Sequence, residues 1–265
     1  MEMKKVFMIS FMAAVVLMAS SCLRVKLGEN GWSLINKSGP RNDTPTQVHE
    51  LDKAIAMQPF DRLHVSGPFN IILEQGQAGT VRVDGTIDQL GATTIYVKDG
   101  ELFVDMKEDM VDSGRFFKGM RVFVCAVDIN GIEIAGSGSV TAPAALAVND
   151  LGLNVAGSGD ITLAQLTCHD LDIEIAGSGS VTLGPVQADG VKTDIAGSGD
   201  IEVARLSCKN LYNQVAGSGD MTFNNANVEE VKSDIAGSGN VIVRGKVGSH
   251  NESVAGSGKV SIIAQ

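Results

Sequence analysis

Residues 173–183 read Ile173-Glu174-Ile175-Ala176-Gly177-Ser178-Gly179-Ser180-Val181-Thr182-Leu183, and this stretch decides the fold. On either side of the glycine-rich step, apolar residues alternate with polar ones, the period of a strand with one buried face. The tetrapeptide Ala-Gly-Ser-Gly begins at Ala135, Ala156, Ala176, Ala196, Ala216, Ala236 and Ala255, at spacings of 21, 20, 20, 20, 20 and 19 residues. Ile134, Val155, Ile175, Ile195, Val215, Ile235 and Val254 stand directly before it. Val140, Ile161, Val181, Ile201, Met221, Val241 and Val260 stand two residues beyond its last glycine. An identical tetrapeptide returning in register is the signature of a repeat array.

Twenty residues hold two strands of about five or six residues and two turns, the second marked by pairs such as Gly184-Pro185 or Lys209-Asn210. One such unit cannot bury its apolar face, but a stack of copies can. The pattern predicts an all-β chain: a single-stranded right-handed parallel β-helix, or β-solenoid, with two-strand coils of about 20 residues and an N-terminal β cap. Equivalent residues then lie about 4.8 Å apart in columns. An antiparallel meander fits the period less well, because hairpin turns favour Asn-Gly or Asp-Gly pairs over one invariant corner. The predicted corners are Gly136, Gly138, Gly157, Gly159, Gly177, Gly179, Gly197, Gly199, Gly217, Gly219, Gly237, Gly239, Gly256 and Gly258. If in/out alternation continues through the corner, these glycines point inward at its narrow edge and supply any positive φ.

The corners account for fourteen of the 31 glycines, so the glycine excess of this 265-residue chain is periodic rather than low-complexity. Aromatics make up 5% of the residues, which leaves a core of small branched side chains. A formal net charge of −10 speaks against nucleic acid as a partner.

At the N-terminus, Lys4 and Lys5 precede an apolar run from Val6 to Ala19, then Ser20, Ser21 and Cys22. The run is too short to span a bilayer and reads as an export signal. A cysteine after small residues resembles a bacterial lipobox, with Cys22 as the lipidated N-terminus of the mature chain. Residues 1–21 are then a signal peptide and 22–57 a flexible tether containing Gly39-Pro40 and Pro45. Cys125, Cys168 and Cys208 are widely spaced and read as buried, inert thiols rather than a disulfide framework or zinc site. Residues 58–131 read as the β cap or irregular coils, holding seven of the nine aromatics from Phe60 onward, and 132–265 as the repeat solenoid. No cap is visible after Ser261-Ile262-Ile263-Ala264-Gln265, so self-association through the C-terminal coil is expected.

Phe60-Asp61-Arg62-Leu63-His64-Val65-Ser66-Gly67, the turn Asp99-Gly100-Glu101-Leu102 and the repeated Gly-Ser-Gly blocks together resemble the "putative auto-transporter adhesin, head GIN domain" family over about residues 58–263. The resemblance implies a β-helical fold and an envelope lipoprotein of the kind common in Bacteroidetes. It transfers no catalytic residues.

Three outward or inward columns carry the candidate chemistry. Two residues before each alanine lie Glu133, Asn154, Glu174, Asp194, Gln214, Asp234 and Ser253, a candidate stripe for a glycan or protein ligand. Directly after each tetrapeptide come Ser139, Asp160, Ser180, Asp200, Asp220, Asn240 and Lys259, of which Asp160, Asp200 and Asp220 are weak calcium candidates on an otherwise solvated column. Three residues before the alanine, Ile132, Leu153 and Ile173 give way to Thr193, Asn213 and Ser233, an inward polar ladder that must be hydrogen-bonded. His49, His64, His169 and His250 pair with no nucleophile or second ligand at a recognisable spacing. No cofactor is expected.

These readings lead to an expectation of a non-enzymatic, adhesin-like binding module of the cell envelope. It would be lipid-anchored to the outer membrane, facing the periplasm because no acidic run follows Cys22. The alternatives are a carbohydrate-active, lyase-like or polysaccharide-binding β-helix and a purely structural envelope protein.

Overall fold

The computed structural model describes residues 47–48, 54–107 and 113–264. The export segment and Cys22 lie outside the described residues, as does most of the tether. The tetrapeptides sit where the chain turns between two sheets. Strands leading into the corners form a front sheet: Gly131–Gly136, Asp150–Gly157, Asp170–Gly177, Gly190–Gly197 and the later halves of Asp200–Gly217, Met221–Gly237 and Asn240–Gly256. Strands leaving them form a back sheet: Ser139–Ala147, Asp160–Thr167, Ser180–Gln187, the first halves of the three long strands, and Lys259–Ile263. Pairing is parallel and coil on coil, so that Ile175 faces Val155 and Ile195 while Val181 faces Ile161 and Ile201. The chain is therefore a β-solenoid and not a meander.

The backbone ladder continues around each corner. The N–H of Ser178 donates to the Gly157 carbonyl at 2.8 Å, and that of Ser198 to the Gly177 carbonyl at 2.8 Å. The first glycine of every tetrapeptide takes φ between +125° and +142°. A Cβ on Gly177 would overlap the carbonyl oxygen of Gly157, whereas one on Gly179 would lie 2.6 Å from Cγ1 of Val155. The two glycines thus have different reasons, which corrects the expectation that both point into the narrow edge. The first clears the preceding coil along the stack; the second also clears the core.

Between the sheets, the columns through Ile175 and Val181 are at most 3% exposed from Ile134 to Ile235 and from Val140 to Val241. The inward polar ladder is present. Thr193 Oγ1 donates to Asn213 Oδ1 at 2.9 Å, Asn213 Nδ2 donates to Ser233 Oγ at 3.0 Å, and all three residues are fully buried. Of the three thiols expected to be buried, Cys208 is, while Cys125 and Cys168 are half-buried; burial pushes the Cys168 thiol up to about 11 and the Cys208 thiol up to about 12.

Residues 58–131 resolve into two more coils and the strands that close them. Arg62–Ser66 and Asn70–Gln75 pair in parallel with Gly131–Gly136 and Ser139–Ala147, placing Ser66-Gly67-Pro68-Phe69 where Ala135-Gly136-Ser137-Gly138 stands in the next coil. Phe69 fills this corner against Phe117, ring centroids 4.8 Å apart. On their other side the same two strands pair in parallel with Glu101–Met106 and Arg121–Ala126. Stack order therefore departs from chain order: the strands Glu101–Met106 and Arg121–Ala126 lie outermost, and the earlier coil 62–75 is inserted between them and 131–147. Thr80–Thr86 and Thr93–Lys98 run antiparallel to the outermost strands and close that edge.

In the last coil the inward columns change character. His250 stands opposite Val231 and Glu252 opposite Ser233, beside Val254, which is 41% exposed. Glu252 is a charged residue at an inward position of this edge, a feature that opposes strand addition.

Two outcomes follow from this packing. Gly177→Val, strained in φ and blocked by the Gly157 carbonyl, should lose about 3 kcal/mol and lower the thermal midpoint by roughly 6–12 °C; unchanged melting contradicts the corner geometry. Asn213→Ala should cost about 2–4 kcal/mol in denaturant unfolding by stranding two buried hydroxyls beside a cavity. The triple change Thr193→Val, Asn213→Leu, Ser233→Ala should recover most of that loss.

Candidate functional site

The strand alternation that buries Ile173 and Ile175 turns Asp172 and Glu174 outward, and stacking converts these positions into columns on the front sheet. Glu133, Asn154, Glu174, Asp194, Gln214, Asp234 and Ser253 form one unbroken column. Next to it run Gly131, Gly152, Asp172, Lys192, Tyr212 and Lys232. Acid and amide alternate along the first column except at Glu174 and Asp194, which are direct neighbours. There the adjacent column supplies Lys192, whose ammonium bonds Asp194 and lies 3.6 Å from Asp172 Oδ1. Further along, Tyr212 donates to Asp234 Oδ2 at 3.0 Å and Lys232 lies 3.4 Å from the same oxygen.

An open groove of about 410 Å³ crosses this face, lined by Asp150, Gly152, Asp170, Asp172, Gly190 and Lys192 among others. Gly152 and Gly190 leave its floor without side chains. Oδ1 of Asp172 and Oδ1 of Asp194 are buried and accept no hydrogen bond. Burial raises the pKa of Asp172 and of Glu174. Burial alone would lower that of Lys192, but the bond to Asp194 and the surrounding carboxylates raise it. The groove thus offers carboxylate acceptors, one of them a buried oxygen without a hydrogen bond, beside one cation. Glu174 and Asp194, visible in the sequence as stripe residues, stand beside the groove and do not line it. Asp172 and Lys192 were not visible there, although their place two residues earlier in each repeat puts them beside that stripe.

At the capped end, the front column continues from Glu133 to His64 and Phe103. His64 is 5% exposed despite its outward position, covered by neighbours that include the Phe103 ring at 5.1 Å. Its Nδ1 lies 3.5 Å from Glu133 Oε2. Burial pulls the imidazole pKa down, but Glu133, Asp105 and Glu101 outweigh it and the net shift is upward. The His64 interaction lowers the pKa of Glu133, while burial raises those of Glu101 and Asp105. Tyr96 stacks on Phe103 and donates to Asp105 Oδ2 at 3.1 Å, and burial with the Asp105 charge pushes its phenol up to about 12.

On the back sheet, the column after the tetrapeptide is tied to the stack itself. Asp200 Oδ1 accepts the Asp220 N–H at 3.1 Å, and Asp220 Oδ1 accepts the Asn240 N–H at 2.7 Å. Asp160 Oδ1 accepts from the N–H and hydroxyl of Ser180. Among the described residues, the groups whose potential metal-ligand atoms approach within 4.8 Å of one another include none of Asp160, Asp200 and Asp220. At the second turn, charge alternates instead: His169 Nε2 lies 3.2 Å from Asp189, and Lys209 2.6 Å from Asp189. Asp220→Ala should therefore destabilise by about 1 kcal/mol, because the Asn240 N–H loses its side-chain acceptor, with no calcium dependence in either protein; a calcium-dependent melting shift that only the variant loses would overturn this structural role.

The fold has relatives among solved structures. A "putative adhesin" from Bacteroides fragilis NCTC 9343 is similar at a TM-score of 0.72 and 24% identity, over 80% of this chain and 95% of that one. A "putative lipid binding protein" from Parabacteroides distasonis ATCC 8503 is similar at 0.66 and 22% identity, with the same coverage. A "putative adhesin" from Parabacteroides merdae ATCC 43184 is similar at 0.59 and 18% identity, again over 80% and 95%. No curated protein matches the chain. Residues 59–246, which span the groove and all but the last tetrapeptide, match the profile of one family, and the chain belongs to it: the "putative auto-transporter adhesin, head GIN domain" family.

Proposed function

We propose that this chain is a non-enzymatic, adhesin-like binding module of the cell envelope, and that the front-sheet groove around Asp150, Asp170, Asp172 and Lys192 engages its ligand. The observation that carries this reading is the groove itself, where Asp172, whose buried Oδ1 accepts no hydrogen bond, stands beside the Lys192 ammonium at backbone left open by Gly152 and Gly190. A ligand rich in hydroxyl or amide donors, a glycan or a protein segment, satisfies the groove's carboxylates. Membership of an adhesin family supports the binding role, and the in-register stack supplies a rigid platform for it. Attachment at Cys22 with the folded part facing the periplasm completes the proposal.

A glycan and matrix-protein array probed with the purified chain tests the groove. Lys192→Ala and Asp172→Ala should each weaken the strongest binding at least tenfold, while Thr182→Ala on the back sheet should leave it unchanged. Binding that is indifferent to both groove changes, or an array without a ligand, counts against the groove. For the anchor, Cys22→Ser should abolish incorporation of labelled fatty acid, and protease treatment of intact cells should spare the folded part. Fatty-acid labelling that survives the substitution overturns the anchor, and digestion in intact cells overturns the periplasmic orientation.

A further inference from the structure

We propose that His64, Glu101 and Glu133 form a binding site for a divalent transition-metal ion of the zinc type, separate from the groove. One potential ligand atom from each residue lies within 4.8 Å of the others. The separation of His64 Nδ1 from Glu133 Oε2, 3.5 Å, is longer than a good hydrogen bond. It is close to the roughly 3.3 Å between two ligand atoms bonded at about 2.0–2.1 Å to one tetrahedral metal ion. Glu101 is held equally loosely by Arg62, 3.8 Å away. Both carboxylates can therefore move onto a metal without breaking a short bond.

The surroundings fit that use. The His64 side chain is 6% exposed and Glu133 33% exposed, so the site is shielded on one side and reachable on the other. Phe103 covers the imidazole, and Tyr96 holds Asp105 through a 3.1 Å hydrogen bond next to it. Three carboxylates, Glu101, Asp105 and Glu133, surround His64 with Arg62 as the neighbouring permanent cation, and a divalent ion compensates the excess negative charge. An imidazole with two carboxylates suits zinc, cobalt or nickel, whereas calcium and magnesium favour an all-oxygen set.

Two other groups of ligating side chains fit less well. Asp150, His169 and Asp170 are all exposed, and His169 is engaged by Asp189. Asp172, Glu174 and Asp194 already hold the Lys192 ammonium among them.

The test is titration of the full chain, without a polyhistidine tag, with zinc by calorimetry and with cobalt by visible absorption. One site per chain is expected, with the cobalt absorption of a low-coordinate nitrogen and oxygen set. His64→Gln and Glu133→Gln should each weaken binding at least tenfold while circular dichroism stays that of the parent, and His169→Gln should bind as the parent does. Absence of stoichiometric binding overturns the site, as does binding that survives both His64→Gln and Glu133→Gln or is lost in His169→Gln. Retention of glycan or protein binding by His64→Gln separates this outcome from the fate of the groove.

Discussion

The structure depends on one repeated contact, the hydrogen bond from a corner serine N–H to the first glycine carbonyl of the preceding coil. For that contact to form, the backbones of successive corners must meet with nothing between them. A β-carbon on the first glycine would occupy the space of the acceptor oxygen, and the φ of that glycine is costly for any other residue. Because each corner is fastened to the one before it, the strands on both sides are held in register, and every residue is placed directly against its counterparts in neighbouring coils.

Stacking of equivalents rewards some residues and penalises others. Ile and Val repeat without cost because like apolar side chains pack against one another in the interior. Thr193, Asn213 and Ser233 are tolerated there because each can satisfy the next. Charges behave differently, since equal charges at about 4.8 Å repel. The chain answers in three ways: amides between acids on the front sheet, opposite charges at the second turn, and back-sheet aspartates turned to accept backbone N–H groups.

Both candidate sites lie where such relief is incomplete. At Glu174 and Asp194 two acids are adjacent, and beside them Asp172 and Lys192 line a charged groove in which one buried carboxylate oxygen accepts no hydrogen bond. At His64 three carboxylates meet one imidazole against an aromatic wall. Elsewhere the outward columns are paired or solvated, which is what a scaffold requires and a binding site does not.

The sequence by itself determined the solenoid, its two-strand coil, the corners, the apolar columns and the inward polar ladder. All of these are repeated at a fixed period, and a periodic signal needs no knowledge of distant contacts. It also showed Glu174 and Asp194 as neighbours in a column, because neighbours in the stack are twenty residues apart. Only the tertiary structure decided what lies before the first tetrapeptide. Ser66-Gly67-Pro68-Phe69 had lost the repeat wording while keeping its place, and the strands Glu101–Met106 and Arg121–Ala126 stack outside an earlier coil. That inversion brings His64, Glu101 and Glu133 together from three coils, at spacings no local pattern announces, because the backbone hydrogen bonds of a free edge accept any chain segment of matching shape, whatever its position in the sequence.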